Sequence, residues 1–168
     1  MTHILVDLAQ QTLTLTTGAQ TQIYTVSTAK NGAGEIEGSE QTPRGLHQIS
    51  DKIGADLPIN AVLRGRVATG EIYTPELAQQ HPKRDWILTR ILWLTGLQAG
   101  VNQGVNADGV TVDSRARYIY LHGTPDSEPM GVAQSHGCIR MRNRDIAELF
   151  ERVDVGTVVE IVESKAQA

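Results

Sequence analysis

Apolar and polar residues alternate along the first 26 positions of the chain. Gln10-Gln11 and Gly18-Ala19 interrupt this alternation and are typical of turns. Because a period of two places successive side chains on opposite faces of a strand, the pattern predicts antiparallel β-strands joined by short turns. The apolar members of the pattern are Ile4, Val6, Leu8, Leu13, Leu15 and Ile23.

The middle of the chain is less regular. Residues 27–44 are polar and glycine-rich, a short strand is predicted over residues 46–50, and glycines and prolines break up residues 51–80, which we expect to be mostly loop. The most apolar run extends from Trp86 to Leu94. It predicts a central strand buried on both faces, although periodicity alone leaves a helix open. A loop rich in Asn and Gly should follow over residues 96–109.

The last third predicts two strands and one helix. A strand over residues 118–121 leads directly to His122, and a final strand is expected over residues 158–162. A helix is predicted to begin near Asn143, as its N-cap, and to end near Arg152. Its apolar face would consist of Ile146, Ala147, Leu149 and Phe150. The predicted fold is therefore mainly β, a single domain over residues 1–168 with one short helix packed on the strands.

Composition narrows the class of partner. The net charge of −4 argues against the cationic surface that binds nucleic acid, so no nucleic-acid partner is expected. No window approaches the roughly 18 uninterrupted apolar residues of a membrane-spanning helix, so no membrane partner is expected either. The N-terminal residues do not resemble a signal peptide, which favours a cytoplasmic location, or a periplasmic one if a leader has been removed.

The residues that carry chemistry lie between positions 118 and 141. Cys138, the only cysteine in the chain, follows Ser135-His136-Gly137, and His122 ends a predicted strand. A thiol is mostly protonated at neutral pH, and a neighbouring imidazole that accepts its proton raises the fraction of reactive thiolate. Gly137 permits a tight turn in which its own N–H and that of Cys138 can face a developing oxyanion. Taken singly, each histidine fits an ordinary structural role; together with Cys138 they predict a cysteine nucleophile.

The neighbours of these residues supply further candidates. His122 needs an acceptor that fixes its tautomer, and since no Asp or Glu is obvious, the backbone carbonyl of Gly123 is predicted for this role. Arg140 could hold the turn through backbone carbonyls or pair with a substrate carboxylate, and the first is slightly favoured. Thr124 is a second candidate for substrate binding.

This segment resembles the L,D-transpeptidase catalytic domains, also called YkuD-like. Their signature is a histidine followed by Ser/Thr-His-Gly-Cys and a short apolar and basic tail, which His122 and residues 135–141 match. Other segments are similar to the family in the same order along the chain: Val6-Asp7-Leu8-Ala9-Gln10-Gln11, Val26-Ser27-Thr28-Ala29-Lys30, Thr42-Pro43-Arg44-Gly45 and Gly70-Glu71-Ile72.

The resemblance implies a β-sandwich with a small helical element, in agreement with the predicted elements. It implies that Cys138 is the acylated nucleophile, that His122 is the base and that the Gly123 carbonyl orients it. The turn of Ser135, His136 and Gly137 would form the oxyanion-hole region together with Cys138. It implies no metal and no cofactor.

The resemblance also implies a substrate. Family enzymes attack the peptide bond between the L-centre of a dibasic third residue and the terminal D-alanine of a peptidoglycan stem tetrapeptide, leaving a thioester that an amine or water resolves. The expected partners are a peptidoglycan tetrapeptide or precursor, with carbapenem β-lactams as inhibitors. Our hypothesis is a cytoplasmic L,D-carboxypeptidase of cell-wall recycling, and the alternative is an L,D-transpeptidase that forms cross-links in the periplasm or wall.

Two other classes remain open from the sequence. A zinc peptidase could use His122, His136 and Cys138 as metal ligands, and a chelator would then abolish its activity. A catalytically silent peptidoglycan-binding module would keep its biological role after the substitution Cys138→Ala.

Overall fold

The computed structural model describes residues 1–165, which contain ten β-strands and two α-helices. The strands are β1 (Thr2–Asp7), β2 (Thr12–Thr17), β3 (Gln20–Ser27), β4 (Gly45–Ile53), β5 (Ala61–Arg64), β6 (Val67–Ile72), β7 (Ile87–Gly96), β8 (Tyr120–Thr124), β9 (Ile139–Arg142) and β10 (Val158–Val162). The helices are α1 (Pro75–Gln80) and α2 (Asn143–Arg152). Positions 166–168 of the predicted domain lie outside the described residues, and the single-domain assignment stays a prediction.

The strands of residues 1–165 form one sheet in the order β4-β10-β1-β2-β3-β9-β8-β7-β5-β6. This sheet closes on itself because β4 pairs with both β10 and β7. Most neighbours are antiparallel, whereas β1 and β10, and β8 and β9, pair in parallel. The mainly β fold class is therefore confirmed, and the two layers of the predicted sandwich are opposite walls of one barrel-like sheet.

The apolar run around position 90 forms β7, as predicted, and the helical alternative is excluded. Almost every residue of β7 is buried, because neighbouring strands pair with both of its edges and its alternating side chains enter apolar clusters on both faces. The register of the β7–β8 pair shifts between Leu88 and Ile91. Thr89 lies in this bulge with φ of +72°, a conformation in which a β-branched residue is strained.

Helix α2 occupies the predicted residues, and its buried face contains Ile146, Leu149 and Phe150, with Ala147 half-buried. The N-cap prediction for Asn143 is wrong. Arg142 precedes the first turn and makes no side-chain cap, while the Asn143 amide is buried between strands. Its Nδ2 donates to the Thr124 carbonyl at 2.8 Å. The Asn143 side chain, although it lies at the start of the helix, therefore stabilises the strands beneath the helix and does not cap it.

Residues 51–80 are more regular than predicted. They contain the β5–β6 hairpin and α1, which buries no side chain and so shows no apolar stripe in the sequence. The start of α1 was nevertheless encoded locally, since Thr74 Oγ1 accepts from the Leu77 N–H at 3.1 Å and Pro75 occupies the first turn. No helix within residues 1–165 combines the length and apolarity needed to cross a membrane.

Candidate active site

The predicted catalytic residues lie on two adjacent parallel strands, β8 and β9. The register pairs Leu121 with Ile139 and His122 with Arg140. Because side chains alternate between the faces of a strand, Leu121 and Ile139 point into the core, where both are fully buried. His122 and Arg140 occupy the other face together with Cys138, which immediately precedes β9. His122 and Cys138 line the same cleft.

This cleft has a volume of about 390 Å³. A second cleft, of about 250 Å³, also reaches Cys138. Cys138 itself is half-buried, lies in the turn directly before β9 and lines both clefts. Charged and aromatic side chains dominate the lining of the larger cleft: Arg66, Asp85, Tyr118, Tyr120, His122, His136 and Arg140.

The Cys138 thiol is held by the backbone of the neighbouring strand. Its Sγ–H donates to the Tyr118 carbonyl at 3.2 Å, and Sγ accepts from the Tyr120 N–H at 3.4 Å. Burial raises the pKa of Cys138 to about 12, while the Tyr120 N–H and the charges of Arg140 and Arg117 act in the opposite direction. The thiol is therefore neutral at physiological pH, and its attack on a carbonyl requires a proton acceptor.

His122 is only 2% exposed and is arranged as such an acceptor. Its Nδ1 lies 2.6 Å from the carbonyl oxygen of Gly123. Since a carbonyl can only accept, Nδ1 carries the hydrogen and the other ring nitrogen, Nε2, has a free lone pair. Burial also lowers the pKa of His122, which keeps the ring neutral. The thiol of Cys138 donates to Tyr118 and not to His122, so proton transfer requires the Sγ–H to turn.

Close packing fixes the position of Gly123. A Cβ at this residue would lie 2.3 Å from Asn143 Oδ1 and 2.6 Å from the Leu88 carbonyl oxygen. Only glycine fits, and the residues on either side hold its carbonyl where His122 needs it. Asn143 Oδ1 also accepts from Thr89 Oγ1 at 2.7 Å. The motif alone did not reveal this network, because its members are far apart in sequence.

The turn before Cys138 is stabilised by Ser135, which is buried. Its Oγ donates to the Cys138 carbonyl at 2.6 Å and accepts from the Gly137 N–H at 3.2 Å. Gly137 has φ of +134°, which favours glycine, and its carbonyl accepts from Thr42 Oγ1 at 2.9 Å. The Gly137 N–H was predicted to face the oxyanion, and it instead donates within the turn. The N–H groups of His136 and Cys138 remain candidates for that role.

Arg140 extends from β9 towards two carboxylates. Its Nη2 lies 3.4 Å from Asp85 Oδ1, and its Nη1 lies 3.7 Å from Glu128 Oε2. Within residues 1–165 the guanidinium of Arg140 therefore contacts side chains and not the backbone carbonyls that a turn-holding role would use. His136 is exposed, with Nδ1 4.0 Å from Asp85 Oδ2. Thr124 is buried and lines, with Arg140, a neighbouring cleft of about 250 Å³.

Arg117 is a residue of the site that lies outside the sequence motif. Its Nη2 donates to the Gln41 carbonyl at 2.7 Å, and its Nη1 donates to the carbonyls of Glu35 at 3.1 Å and Gly34 at 3.3 Å. These bonds tie the segment around residue 40 to the residues that precede β8, and the Arg117 charge lowers the pKa of Cys138. No local pattern signals them, because their partners are more than 70 positions away.

The zinc alternative requires at least three metal ligands around one point. Over residues 1–165, no group of three His, Cys, Asp or Glu side chains is arranged to hold a metal ion.

Comparison with known proteins adds to this geometry. The family model described as the L,D-transpeptidase catalytic domain matches residues 1–161. Probable L,D-transpeptidase YcfS of Escherichia coli K12 is 26% identical over 152 residues, covering 86% of this chain and 42% of the relative. Probable L,D-transpeptidase YbiS of the same strain is 44% identical over 52 residues, covering 31% of this chain and 17% of the relative. The chain thus spans less than half the length of these curated relatives.

Solved structures are similar in fold. The structure of Bdellovibrio bacteriovorus Bd1075 aligns with a TM-score of 0.57 at 17% identity, covering 99% of this chain and 51% of that one. The structure of the L,D-transpeptidase LdtMt1 in complex with imipenem aligns with a TM-score of 0.55 at 19% identity, covering 96% and 58% respectively. At such identities the alignments establish the fold alone.

Proposed function

The chain belongs to the L,D-transpeptidase catalytic-domain family, and from that premise we propose that Cys138 forms a thioester with a peptidoglycan stem peptide. The observation that carries the proposal is the arrangement of His122. Its ring shares a cleft with the Cys138 thiol and is held by the Gly123 carbonyl in the tautomer that can accept a proton. A nucleophile, a base and a group that orients the base are the three parts that covalent acyl transfer needs.

The acylation half-reaction follows from these positions. His122 Nε2 takes the proton of the Cys138 thiol as Sγ attacks the carbonyl carbon of the third stem residue. The resulting oxyanion lies beside the turn, where the N–H groups of His136 and Cys138 are proposed to stabilise it. The imidazolium then protonates the leaving amine, the carbon–nitrogen bond breaks and D-alanine departs. The third stem residue remains bound to Sγ as a thioester.

We propose that water resolves the thioester, which makes the protein an L,D-carboxypeptidase. His122 accepts a proton from the water, whose oxygen attacks the thioester carbonyl. The carbon–sulfur bond then breaks, and the imidazolium returns the proton to Cys138 Sγ. The cleft shared by both residues, about 390 Å³, is near the lower end of the range for sites that bind one small ligand. A cleft of this size fits one bound peptide, and the second cleft at Cys138, of about 250 Å³, is where an acceptor would bind if the protein formed cross-links. A transpeptidase, the alternative, would also hold an acceptor peptide and form cross-links.

The experiment follows both products from a purified stem tetrapeptide with a dibasic third residue. We expect free D-alanine and tripeptide in equal amounts and almost no cross-linked dimer. Cys138→Ala should abolish the release of D-alanine. Dimer as the main product would replace the carboxypeptidase assignment by that of a transpeptidase. Release that is unaffected by Cys138→Ala would contradict the thioester.

The proposal also covers inhibition by carbapenems and the location of the protein in the cell. LdtMt1 has been solved with imipenem, and we propose that carbapenems acylate Cys138 in this protein as well. A cytoplasmic role in wall recycling stays a prediction, tested by fractionation of the producing bacterium. A catalytically silent binding module would bind stem peptides and release no D-alanine.

A further inference from the structure

Three arginines line the two clefts that reach Cys138, and their guanidinium groups differ in what they contact. Arg117 donates to three backbone carbonyls. Arg140 lies beside two carboxylates. Arg66 forms no ion pair with any carboxylate in the part of the chain that the structure describes. Arg66 is therefore the arginine of these clefts whose guanidinium is engaged neither by a carboxylate nor by a set of backbone carbonyls.

Aromatic groups hold the Arg66 guanidinium in place. Its carbon Cζ lies 4.8 Å from the ring centres of both Trp93 and Tyr118, and its Nη1 donates to the Tyr120 hydroxyl at 3.1 Å. A guanidinium has five N–H donors in a planar fork, so one bond to a phenol leaves most of them available. Stacking on aromatic rings orients this fork and reduces the entropy lost when it binds a ligand.

The backbone at Arg66 is unfavourable for a residue with a side chain. Gly65 and Arg66 form the two-residue turn between β5 and β6, with φ of +56° and +65°. Hairpin turns of this kind favour Asn and Gly, because both central residues have positive φ. An arginine at the second position is strained where glycine would not be. Strain of this type is characteristic of residues whose side chains have a function.

Tyr120 relates Arg66 to the nucleophile. The Tyr120 N–H donates to Cys138 Sγ at 3.4 Å, while its hydroxyl accepts from Arg66 at the other end of the side chain. One extended tyrosine therefore separates the sulfur from the guanidinium. In a stem tetrapeptide the terminal carboxylate is separated from the attacked carbonyl carbon by one nitrogen and one Cα. A peptide placed for attack by Cys138 can direct that carboxylate towards Arg66.

We propose that Arg66 binds the terminal carboxylate of the stem peptide and thereby selects donors that end in a free D-alanine carboxylate. This inference rests on the proposed function, because it requires D-alanine to be the leaving group. A charge-assisted pair of hydrogen bonds between guanidinium and carboxylate supplies the selectivity. The same contact holds the scissile bond in register with Sγ.

The test removes the charge from the protein and from the substrate in turn. Wild-type protein, Arg66→Met and Arg66→Lys are assayed with a tetrapeptide that has a free C-terminal carboxylate and with its C-terminal amide. For Arg66→Met we expect kcat/KM to fall roughly 10- to 100-fold on the free acid, the effect of a lost charged hydrogen bond, and to change little on the amide. On the free acid, kcat/KM of Arg66→Lys should lie between the values for wild type and Arg66→Met.

Arg64→Met is the matched control, because this exposed arginine lies in the same hairpin and outside the clefts. Arg64→Met should leave kcat/KM unchanged for both substrates. Alkylation of Cys138 by iodoacetamide, which is neutral, should proceed at the same rate in wild type and Arg66→Met and so report an intact site. An equal loss of activity on acid and amide in both Arg66 variants would overturn the inference. Wild-type protein that releases neither D-alanine from the free acid nor D-alanine amide from the amide would overturn the proposed function, and this inference with it.

Discussion

Burial acts in opposite directions on the pKa values of the two proposed catalytic residues. It raises the pKa of the Cys138 thiol and lowers that of His122, because both charged forms lose hydration. Both side chains are therefore neutral before substrate binds. Thiolate then forms only as the carbonyl is attacked, and the free thiol reacts more slowly with oxidants and alkylating agents than a thiolate would.

The pH profile of kcat/KM should reflect this arrangement. Catalysis needs neutral His122, and a lowered pKa means that the ring stays neutral to a lower pH than free histidine does. We expect the acid limb of the profile to lie below pH 6.5, the ordinary histidine value. Asp85→Asn should move it lower still, since the Asp85 charge raises the pKa of His122. An acid limb above the ordinary value would contradict a neutral buried base.

Gly123 is predicted to tolerate no side chain. In Gly123→Ala, the new Cβ would meet Asn143 Oδ1 and the Leu88 carbonyl at 2.3 and 2.6 Å, so strand or helix must shift. We expect at least about 2 kcal/mol of lost stability, as for other overpacked buried sites, and loss of D-alanine release. Thermal unfolding and the activity assay measure the two effects. Near-normal activity in Gly123→Ala would show that the position of this carbonyl does not control His122.

At the scale of elements, the bulge in β7 connects β8, the strand that contains His122, to the β5–β6 hairpin that carries Arg66. Thr89 Oγ1 accepts from the Asn60 N–H at 3.0 Å and donates to Asn143 Oδ1 at 2.7 Å. Asn143 Nδ2 in turn donates to Asn60 Oδ1 at 2.9 Å and to the Thr124 carbonyl at 2.8 Å. The buried side-chain amide of Asn143 therefore connects three elements: the end of β8, the start of α2 and the base of the β5–β6 hairpin.

Thr89→Val tests this connection, because valine keeps the shape of threonine and removes the hydroxyl. We expect a loss of about 1–3 kcal/mol in unfolding free energy from the unpaired Asn60 N–H and Asn143 carbonyl oxygen. The same variant should lower kcat more than it changes KM, since His122 loses support and the cleft remains. Thr95→Val, half-buried in the same strand, is the control. Equal effects of the two substitutions would argue against a special role for the bulge.

How far the sequence determines these elements depends on where their stabilising contacts lie. The strand β7 was predicted from its own apolar run, and the residues of α2 from their own apolar face. By contrast, α1 and β6 were missed because they bury few side chains and so lack a periodic signal. The cap prediction for Asn143 was wrong because its partners, Thr89 and Asn60, lie 54 and 83 positions away.

In the candidate site, too, the residues with nearby partners in the sequence could be predicted and those with distant partners could not. The carbonyl of Gly123 could be proposed from the sequence because this residue follows His122 directly. Arg117 could not, because its acceptors at residues 34–41 become neighbours only when the sheet closes. The Gly137 N–H was proposed from the sequence to face the oxyanion, and in the structure it donates to the Ser135 hydroxyl, a contact that the motif does not reveal.

At the scale of the whole molecule, closure of the sheet places β8 and β9 between other strands on both sides. Neither catalytic strand has a free edge, so their register, and with it the pairing of His122 with Arg140, is held by hydrogen bonds on both flanks. A site built on such strands is positioned more accurately than one on loops. The clefts are then shaped by the loops and the β5–β6 hairpin around a rigid floor.

Closure also buries His47, in β4, whose protonation should control the stability of the fold. Its Nε2 lies 2.8 Å from Ser114 Oγ and its Nδ1 lies 3.1 Å from the Gly45 carbonyl oxygen. Burial lowers its pKa to about 4. Below pH 6.5 the unfolded chain binds a proton that the folded protein does not, so stability falls with falling pH until about pH 4.

The expected loss over this window is on the order of 3 kcal/mol. Urea unfolding at several pH values measures it, and His47→Gln should flatten the dependence between those limits. Carboxylates with lowered pKa values add to acid destabilisation at lower pH: Glu35 beside Arg44, Glu71 beside Arg84, and Asp51, which accepts from Ser50 and then from Arg115. A wild-type curve as flat as that of His47→Gln would show that His47 does not control it.

The most direct test of the account is to measure the mass of the acyl-enzyme. Intact-protein mass spectrometry after exposure to imipenem should show one added inhibitor mass on the wild-type protein, located by proteolysis on the peptide that contains Cys138. Cys138→Ala should gain nothing, and His122→Gln should be acylated far more slowly. An adduct that persists in Cys138→Ala, or a wild-type protein that gains no mass, would contradict the proposal that this sulfur is the nucleophile.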